Sequence, residues 1–171
     1  FDIHYLFIDD NESEESSNLL LNFVKWKNTA IIFKNSDNEK YICDEKTHYW
    51  NENLVWKVAN LKNIIIQFAL EQNFDYLFLI DSDIVLHPNT LQQLVSANKD
   101  IISNIFWTKW QPDSPELPQV WVFDQYVQYY CARGEVLTQE QIQQRQQQFL
   151  EMLRKPGVYE VGGLGACTLI S

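Results

Sequence analysis

FDYLFLIDSDIVLHP, residues 74–88, holds the feature around which the rest of the chain is organised. An apolar run, Tyr76 to Ile80, goes straight into Asp81-Ser82-Asp83, and apolar chain resumes at Ile84. A short apolar run bounded by polar residues reads as a buried strand. Carboxylates beside a core are costly unless something pairs with them. On an extended chain, residues i and i+2 point the same way. Asp81 and Asp83 can therefore converge on one hard cation, which offsets their repulsion and keeps coordination positions for a ligand's phosphates. The same spacing also fits one Asp capping the next turn while the other stays solvated. The apolar strand before the pair and Pro88 after it favour the metal site.

Working outward, residues 2–8 read as a strand ending at Asp9-Asp10, and Ser13 reads as the cap of a helix running to about Lys25, with Leu20, Phe23 and Val24 inward. Thr29 to Phe33 is a short apolar strand, and residues 35–53 are polar and loop-like. From Leu54, apolar positions at 58, 61, 65 and 68, with Gln72 at the polar end, follow helical spacing. Residues 74–80 form the strand before the acidic pair, Pro88 starts a helix to about Ala97, and residues 100–106 form another strand. A connection with Pro112, Pro115 and Pro118 precedes a strand at 120–123. The glutamine-rich stretch 139–148, with Ile142, Phe149, Leu150 and Leu153, reads as an exposed helix with a thin apolar stripe. Strands alternating with helices predict an α/β fold, a Rossmann-like and mostly parallel central sheet with helices on both faces. The Tyr76–Ile80 run is expected to be a central strand of it.

The chain has 171 residues, 46% hydrophobic and 14% aromatic, enough for one domain with a real core. Its 13 basic and 23 acidic residues leave a net charge of −10, which argues against a nucleic-acid surface. No apolar run reaches the ~20 residues that span a bilayer. Glu12 to Glu15 fit a solvated helix start. Cys43, Cys131 and Cys167 are far apart and odd in number, which predicts reduced thiols in a cytoplasmic protein, soluble or peripheral at the inner membrane face. The chain opens on a strand in progress and stops inside the apolar run Cys167–Ser171. We therefore expect one truncated domain, 1–171, with a donor-binding half, 1–106, and an acceptor half, 107–171.

With these parts in order, DYLFLIDSDIVLHPNTLQQLV resembles the metal-binding DxD segment of GT-A glycosyltransferases, nearest the family 2-like group. IHYLFIDDNESEESSNLL resembles that fold's second strand, whose acidic tip contacts the donor nucleoside. NLVWKVANLKNIIIQFAL resembles the helix that carries a basic residue and Asn ahead of the DxD strand, here Lys62 and Asn63. GVYEVGGLGACTLIS resembles the glycine-containing stretch on the acceptor side. The resemblance implies an inverting, hexosyltransferase-type enzyme that uses a UDP- or GDP-type sugar donor and a saccharide, lipid-linked or protein acceptor. Asp83 would bind Mn²⁺ or Mg²⁺ directly, with Asp81 on the ribose or in the metal's outer sphere. Asp9 or Asp10 would hold the base or ribose, and Lys62 would approach the diphosphate. Gly163 and Gly165 would lie on the acceptor side. The first strand of the fold would precede Phe1, and the catalytic base would lie beyond Ser171.

Other readings fit parts of the same pattern. A haloacid-dehalogenase-type phosphatase also carries DxD after an apolar strand. Its motif continues with Gly-Thr or Gly-Val and needs a later acidic pair, whereas here Ile84-Val85 follows and no such pair appears. A catalytically silent GT-A-like binding domain fits the same residues. YYCARG, residues 129–134, mimics an immunoglobulin strand, but Asp124 is out of register. Gly162-Gly163-Leu164-Gly165 is too late for a dinucleotide loop, with Thr168 where the third glycine should stand. It fits a close approach to an acceptor sugar or a simple bulge. Trp107, Trp110 and Trp121 could stack on sugars, Trp107 foremost because it follows a strand end. His87 reads as a turn residue or a further ligand, while His4 and His48 carry no signal.

Overall fold

The computed structural model describes residues 1–35, 42–43, 48–109, 111–123, 126–165 and 167–171. Trp110 and Asp124 lie outside the described residues, as do the side chains of Cys43 and His48. The chain forms two compact units, Phe1–Asn73 and Phe74–Ser171.

In the first unit, strand β1 (Tyr5–Asp9) leads through helix α1 (Glu14–Trp26) to strand β2 (Ala30–Lys34). The two strands pair in parallel, Tyr5 opposite Ala30 and Asp9 opposite Lys34. Ser13 caps α1 by accepting from the Ser16 N–H at 3.4 Å, as its position before an acidic first turn predicts. Leu20, Phe23 and Val24 are the half-buried stripe of that helix. Phe23 meets the edges of Tyr5 and Phe7 at centroid separations of 5.1 and 5.4 Å. A short antiparallel pair, β3 (Ile42–Cys43) with β4 (His48–Tyr49), follows. Helix α2 (Glu52–Glu71) begins earlier than the apolar spacing suggests, because Asn51 caps it through the Leu54 N–H at 2.9 Å. It ends at Asn73, in the left-handed region with φ 54°, a conformation that Asn tolerates after a helix.

In the second unit, strand β5 (Leu77–Ile80), helix α3 (Thr90–Ser96) and strand β6 (Ile101–Ser103) form a β-α-β passage. Pro88 precedes the cap residue Asn89 rather than opening the helix. Strand β9 (Cys167–Ile170) pairs antiparallel with both β5 and β6. The mixed α/β class expected from sequence stands. The single, mostly parallel central sheet does not: the described strands form four small sheets, of which only β1–β2 is parallel. The physical reason is that β5 and β6 run in the same direction but never bond each other, because β9 occupies the space between them. Within this unit β9, not β5, is the middle strand, and Ile80 on β5 remains 45% exposed.

Alternation along β9 sets its core. Cys167 and Leu169 are buried and pack with Leu94 of α3, joined by Phe78, Ile84, Leu86 and Ile102. Strand β7 (Trp107–Thr108) pairs with β8 (Leu117–Pro118), while the strand expected at 120–123 is reduced to bridges from Trp121 to Gly163 and from Phe123 to Val127. Val120 and Val122 nevertheless form a second core with Phe149 and Leu153 of helix α4 (Gln139–Leu153). That helix opens on a capping box between Thr138 and Gln141. Arg145 on α4 donates to both Glu135 oxygens, at 2.9 and 2.6 Å, and to the Tyr130 carbonyl at 2.7 Å, fastening the preceding loop.

Hydrogen bonds from Arg145 first, then from the Ala132 N–H, hold the Glu135 carboxyl at about 2 against an ordinary 4.5. Because the folded value is the lower one, this contribution is complete above pH 4.5 and fades as pH falls towards about 2. A carboxyl-detected NMR titration should follow Glu135 to that low midpoint, and Arg145→Gln should return it towards 4.5. A wild-type midpoint already at 4.5 would remove the clasp.

Candidate functional site

The acidic pair sits where β5 ends. Ile80 is the last paired residue, opposite Cys167. Asp81 is half-buried, Ser82 and Asp83 are exposed, and the Ile84 N–H closes the turn on the Asp81 carbonyl at 3.3 Å. The turn is anchored on both sides. Phe78 precedes it and Ile84 and Leu86 follow it, all packed against the Leu94–Cys167–Leu169 core. A polar step is thereby held between two apolar anchors, and Asp83 is carried into solvent. Burial pushes the Cys167 thiol up; a hydrogen bond from the Asn104 backbone opposes this, and the negative charge of Asp81 adds to it. Asp81 therefore acts electrostatically on the start of β9. His87 is a turn residue, its Nδ1 accepting from the Asn89 N–H at 3.2 Å. Among the described residues no three His, Cys, Asp or Glu side chains gather as a metal cluster.

The glycine stretch packs against its own chain. The N–H groups of Gly162 and Gly163 both donate to the Trp121 carbonyl, at 2.8 and 3.0 Å. Two residues thus oppose one, as in a β-bulge. A Cβ on Gly163 would strike the Trp121 indole, and one on Gly162 would strike the Val122 carbonyl. Gly165 lies against Gln119, with 2.8 Å from its virtual Cβ to that carbonyl. Trp107 is half-buried against the Val120–Phe149 core, and the Arg154 guanidinium lies 3.9 Å from its ring centre. Trp121 packs at 4.7 Å from Tyr126. A cavity of about 1110 Å³ opens within this unit between β6 and the stretch around 155–164, with Lys99, Ser103, Asn104, Tyr159 and Gly163 on its wall.

In the first unit the two adjacent acids part company. Asp9, 5% exposed, accepts through Oδ1 from the Asn11 N–H (3.3 Å), Asn11 Nδ2 (2.8 Å) and Ser17 Oγ (3.0 Å), tying the strand end to α1. Burial pushes its carboxyl up, but those hydrogen bonds and the Lys34 charge outweigh it and hold the group below the usual carboxylate range. Asp10 faces a different set. Its Oδ1 accepts from Asn35 Nδ2 at 2.7 Å, and its Oδ2 meets Lys57 Nζ at 3.0 Å. Lys57 is buried on α2. Lys62, the basic residue singled out from sequence, is half-buried on the same helix. Five residues on, at 100° per residue, it points about 140° away around the axis.

Sequence reasoning missed Lys57 and Asn35. A signal for Lys57 exists: it falls between Leu54 and Leu61 in the inward register of α2, where a lysine interrupts an apolar stripe.

A family model, Anp1, matches residues 6–129, from β1 to beyond β8. The family is one of mannosyltransferase-like proteins, and glycosyltransferase-like activity follows at that coarse level. No curated protein matches, and no solved structure matches. No described helix is long and apolar enough to cross a membrane.

Replacing Gly162 by Ala should cost about 1–3 kcal/mol, because the obstructing carbonyl of Val122 cannot rotate away as a side chain could. Urea unfolding is the measurement, and a midpoint equal to wild type would contradict the bulge packing.

Proposed function

The chain belongs to the Anp1 family, and from that premise we propose that it transfers a sugar from a nucleoside diphosphate donor to an acceptor hydroxyl. The observation that carries this reading is the turn at the end of β5: Asp83 exposed, Asp81 half-buried, and apolar anchors on both sides. Two carboxylates fit Mn²⁺ or Mg²⁺, since such ions bind through one or two protein carboxylates and leave their other positions to water and substrate phosphates. Asp83 holds the ion and Asp81 assists, orienting ligand waters or a ribose hydroxyl. Bound there, the ion supplies neutralisation of the charge that develops on the departing diphosphate.

The remaining assignments follow the resemblance to GT-A enzymes. Asp9 or Asp10 receives the donor's nucleoside, and Lys62 approaches the diphosphate. Gly163 and Gly165 serve the acceptor side, where the large cavity has Gly163 on its wall. Trp107, half-buried beside the Arg154 guanidinium, is the residue assigned to stacking on acceptor sugar. Inversion at the anomeric carbon is the expected course. The carboxylate that takes the acceptor proton is not assigned to a described residue.

Calorimetry with GDP and UDP, with and without Mn²⁺, tests the core of the reading. Wild type should bind at least one of them only with the metal present. Asp83→Asn removes charge and little volume, and should weaken that binding at least about tenfold, roughly 1.4 kcal/mol. Unchanged metal-dependent binding by the variant would refute the assignment. Hydrolysis of a generic phosphate ester, with nucleotide sugars ignored, would favour the phosphatase reading.

A further inference from the structure

Among the described residues β6 has one neighbour, β9, and forms an edge of its three-stranded sheet. The Ser171 N–H donates to the Asp100 carbonyl at 2.9 Å, and Ser103 Oγ donates to the Cys167 carbonyl at 2.6 Å. Residues 167, 169 and 171 therefore turn their backbone groups towards β6. Bonded and non-bonded pairs alternate along an antiparallel ladder. In this register Ile102 bonds Leu169, while Ile101 and Ser103 turn their N–H and C=O groups outward. Among the described residues no hydrogen bond reaches those outward groups.

A short edge strand can simply be left to water. This one instead borders the cavity of about 1110 Å³, whose other side is formed by the stretch from Gly157 to Val161. No residue of that stretch makes a backbone–backbone hydrogen bond. The cavity thus lies between two lengths of chain with unused backbone donors and acceptors. Its volume is above the roughly 300–1,000 Å³ of small-molecule pockets. Ile101 and Ser103 repeat the same donor and acceptor at a spacing of roughly 6.6 Å. An extended polypeptide matches that repeat, whereas a sugar or a nucleotide does not. Charge narrows the choice further. Lys99 and Lys155 border the cavity and form no ion pair among the described residues, and Glu160 is the one carboxylate on its described wall. In a chain of net charge −10, this wall carries the opposite sign.

We propose that the outer edge of β6 takes up an extended, acidic segment of a separate polypeptide as an added strand, paired with Ile101 and Ser103 and attracted by Lys99 and Lys155. Main-chain hydrogen bonds supply the affinity of such an added strand, and side-chain contacts supply its selectivity. Here the selective contacts are the two lysines and the apolar wall of Leu94, Val120 and Leu153. All of these residues belong to the second unit. Docking of this kind stands whether or not the chain transfers sugar.

The test is amide hydrogen exchange on the full chain, with a fluorescein-labelled peptide, Glu-Thr-Val-Thr-Val-Thr-Glu, as the probe. Without peptide, the Ile101 and Ser103 amides should exchange freely and the Ile102 amide slowly. Saturating peptide should slow exchange at 101 and 103 by about tenfold or more, since newly paired amides exchange only on opening. In fluorescence anisotropy, methylating alternate peptide nitrogens should weaken binding by about tenfold or more, the scale of the hydrogen bonds removed. Replacing both peptide glutamates by lysines should weaken it as well. Ile101→Pro removes an outward donor and leaves the β9 ladder intact, so it should weaken binding as methylation does. If that variant does not fold, the exchange result on wild type decides. No binding, binding without protection at 101 and 103, or equal binding of the methylated or lysine peptide overturns the proposal. Protection that is present without peptide and rises with protein concentration assigns the edge to a second copy and overturns it too.

Discussion

Strand β9 is bonded along both edges, and the arrangement of residues 74–171 depends on that double pairing. Cys167 and Leu169 alternate onto the face covered by α3, where Leu94 completes the core. The same register sets Cys167 opposite Ile80, the last residue before the acidic turn. Removing β9 would leave β5 and β6 as two separated edges, each exposing unpaired backbone groups that water or another chain would have to satisfy. The Asp81–Asp83 turn would then lose the support beneath Phe78, Ile84 and Leu86. The placing of the turn is thus a consequence of a long-range pairing, from residue 80 to residue 167.

Polar groups in the two units are managed in contrasting ways. Asp9 is buried and fully engaged by its own neighbours, so its role is to fasten β1 to α1. Asp10, one residue on, is gripped from within by Lys57 and flanked by Asn35. Asp83 stands in solvent at the end of its turn. A carboxylate committed to three internal donors is poorly suited to exchange them for a ligand, whereas one with spare lone pairs, or one in water, can do so at little cost. On that ordering Asp9 is the most internally committed of the three carboxylates and Asp83 the least.

Much of this was readable from residues. The apolar run before Asp81, the cap at Ser13 and the stripe of α2 are local patterns, and each became the element it implied. The partner of β5 was not readable, because strand pairing across some ninety positions leaves no local trace and the four-residue run of β9 fits a parallel or an antiparallel neighbour alike. Nor could sequence separate Asp9 from Asp10, since adjacent carboxylates differ only in what three-dimensional packing brings to them. Lys57 is hidden for the opposite reason: a lysine within an apolar stripe reads as an interruption of the pattern until its buried partner is known. Of the two readings of the glycine stretch, acceptor-sugar approach and simple bulge, the second matches the fold, but the backbone that comes close, residues 119–123, could be identified only from the folded chain.

The proposed transferase needs a divalent cation at the end of β5. Titrating Mn²⁺ into nitrogen-15-labelled protein tests it most directly, because the paramagnetic ion broadens amide signals according to their distance from it. Ser82, Asp83 and Ile84 should fade first, followed by Cys167, whose thiol feels the charge of Asp81. Signals of residues 82–84 that stay sharp while those of Glu12, Glu14 and Glu15 vanish would place the cation at the acidic start of α1 and not at this turn.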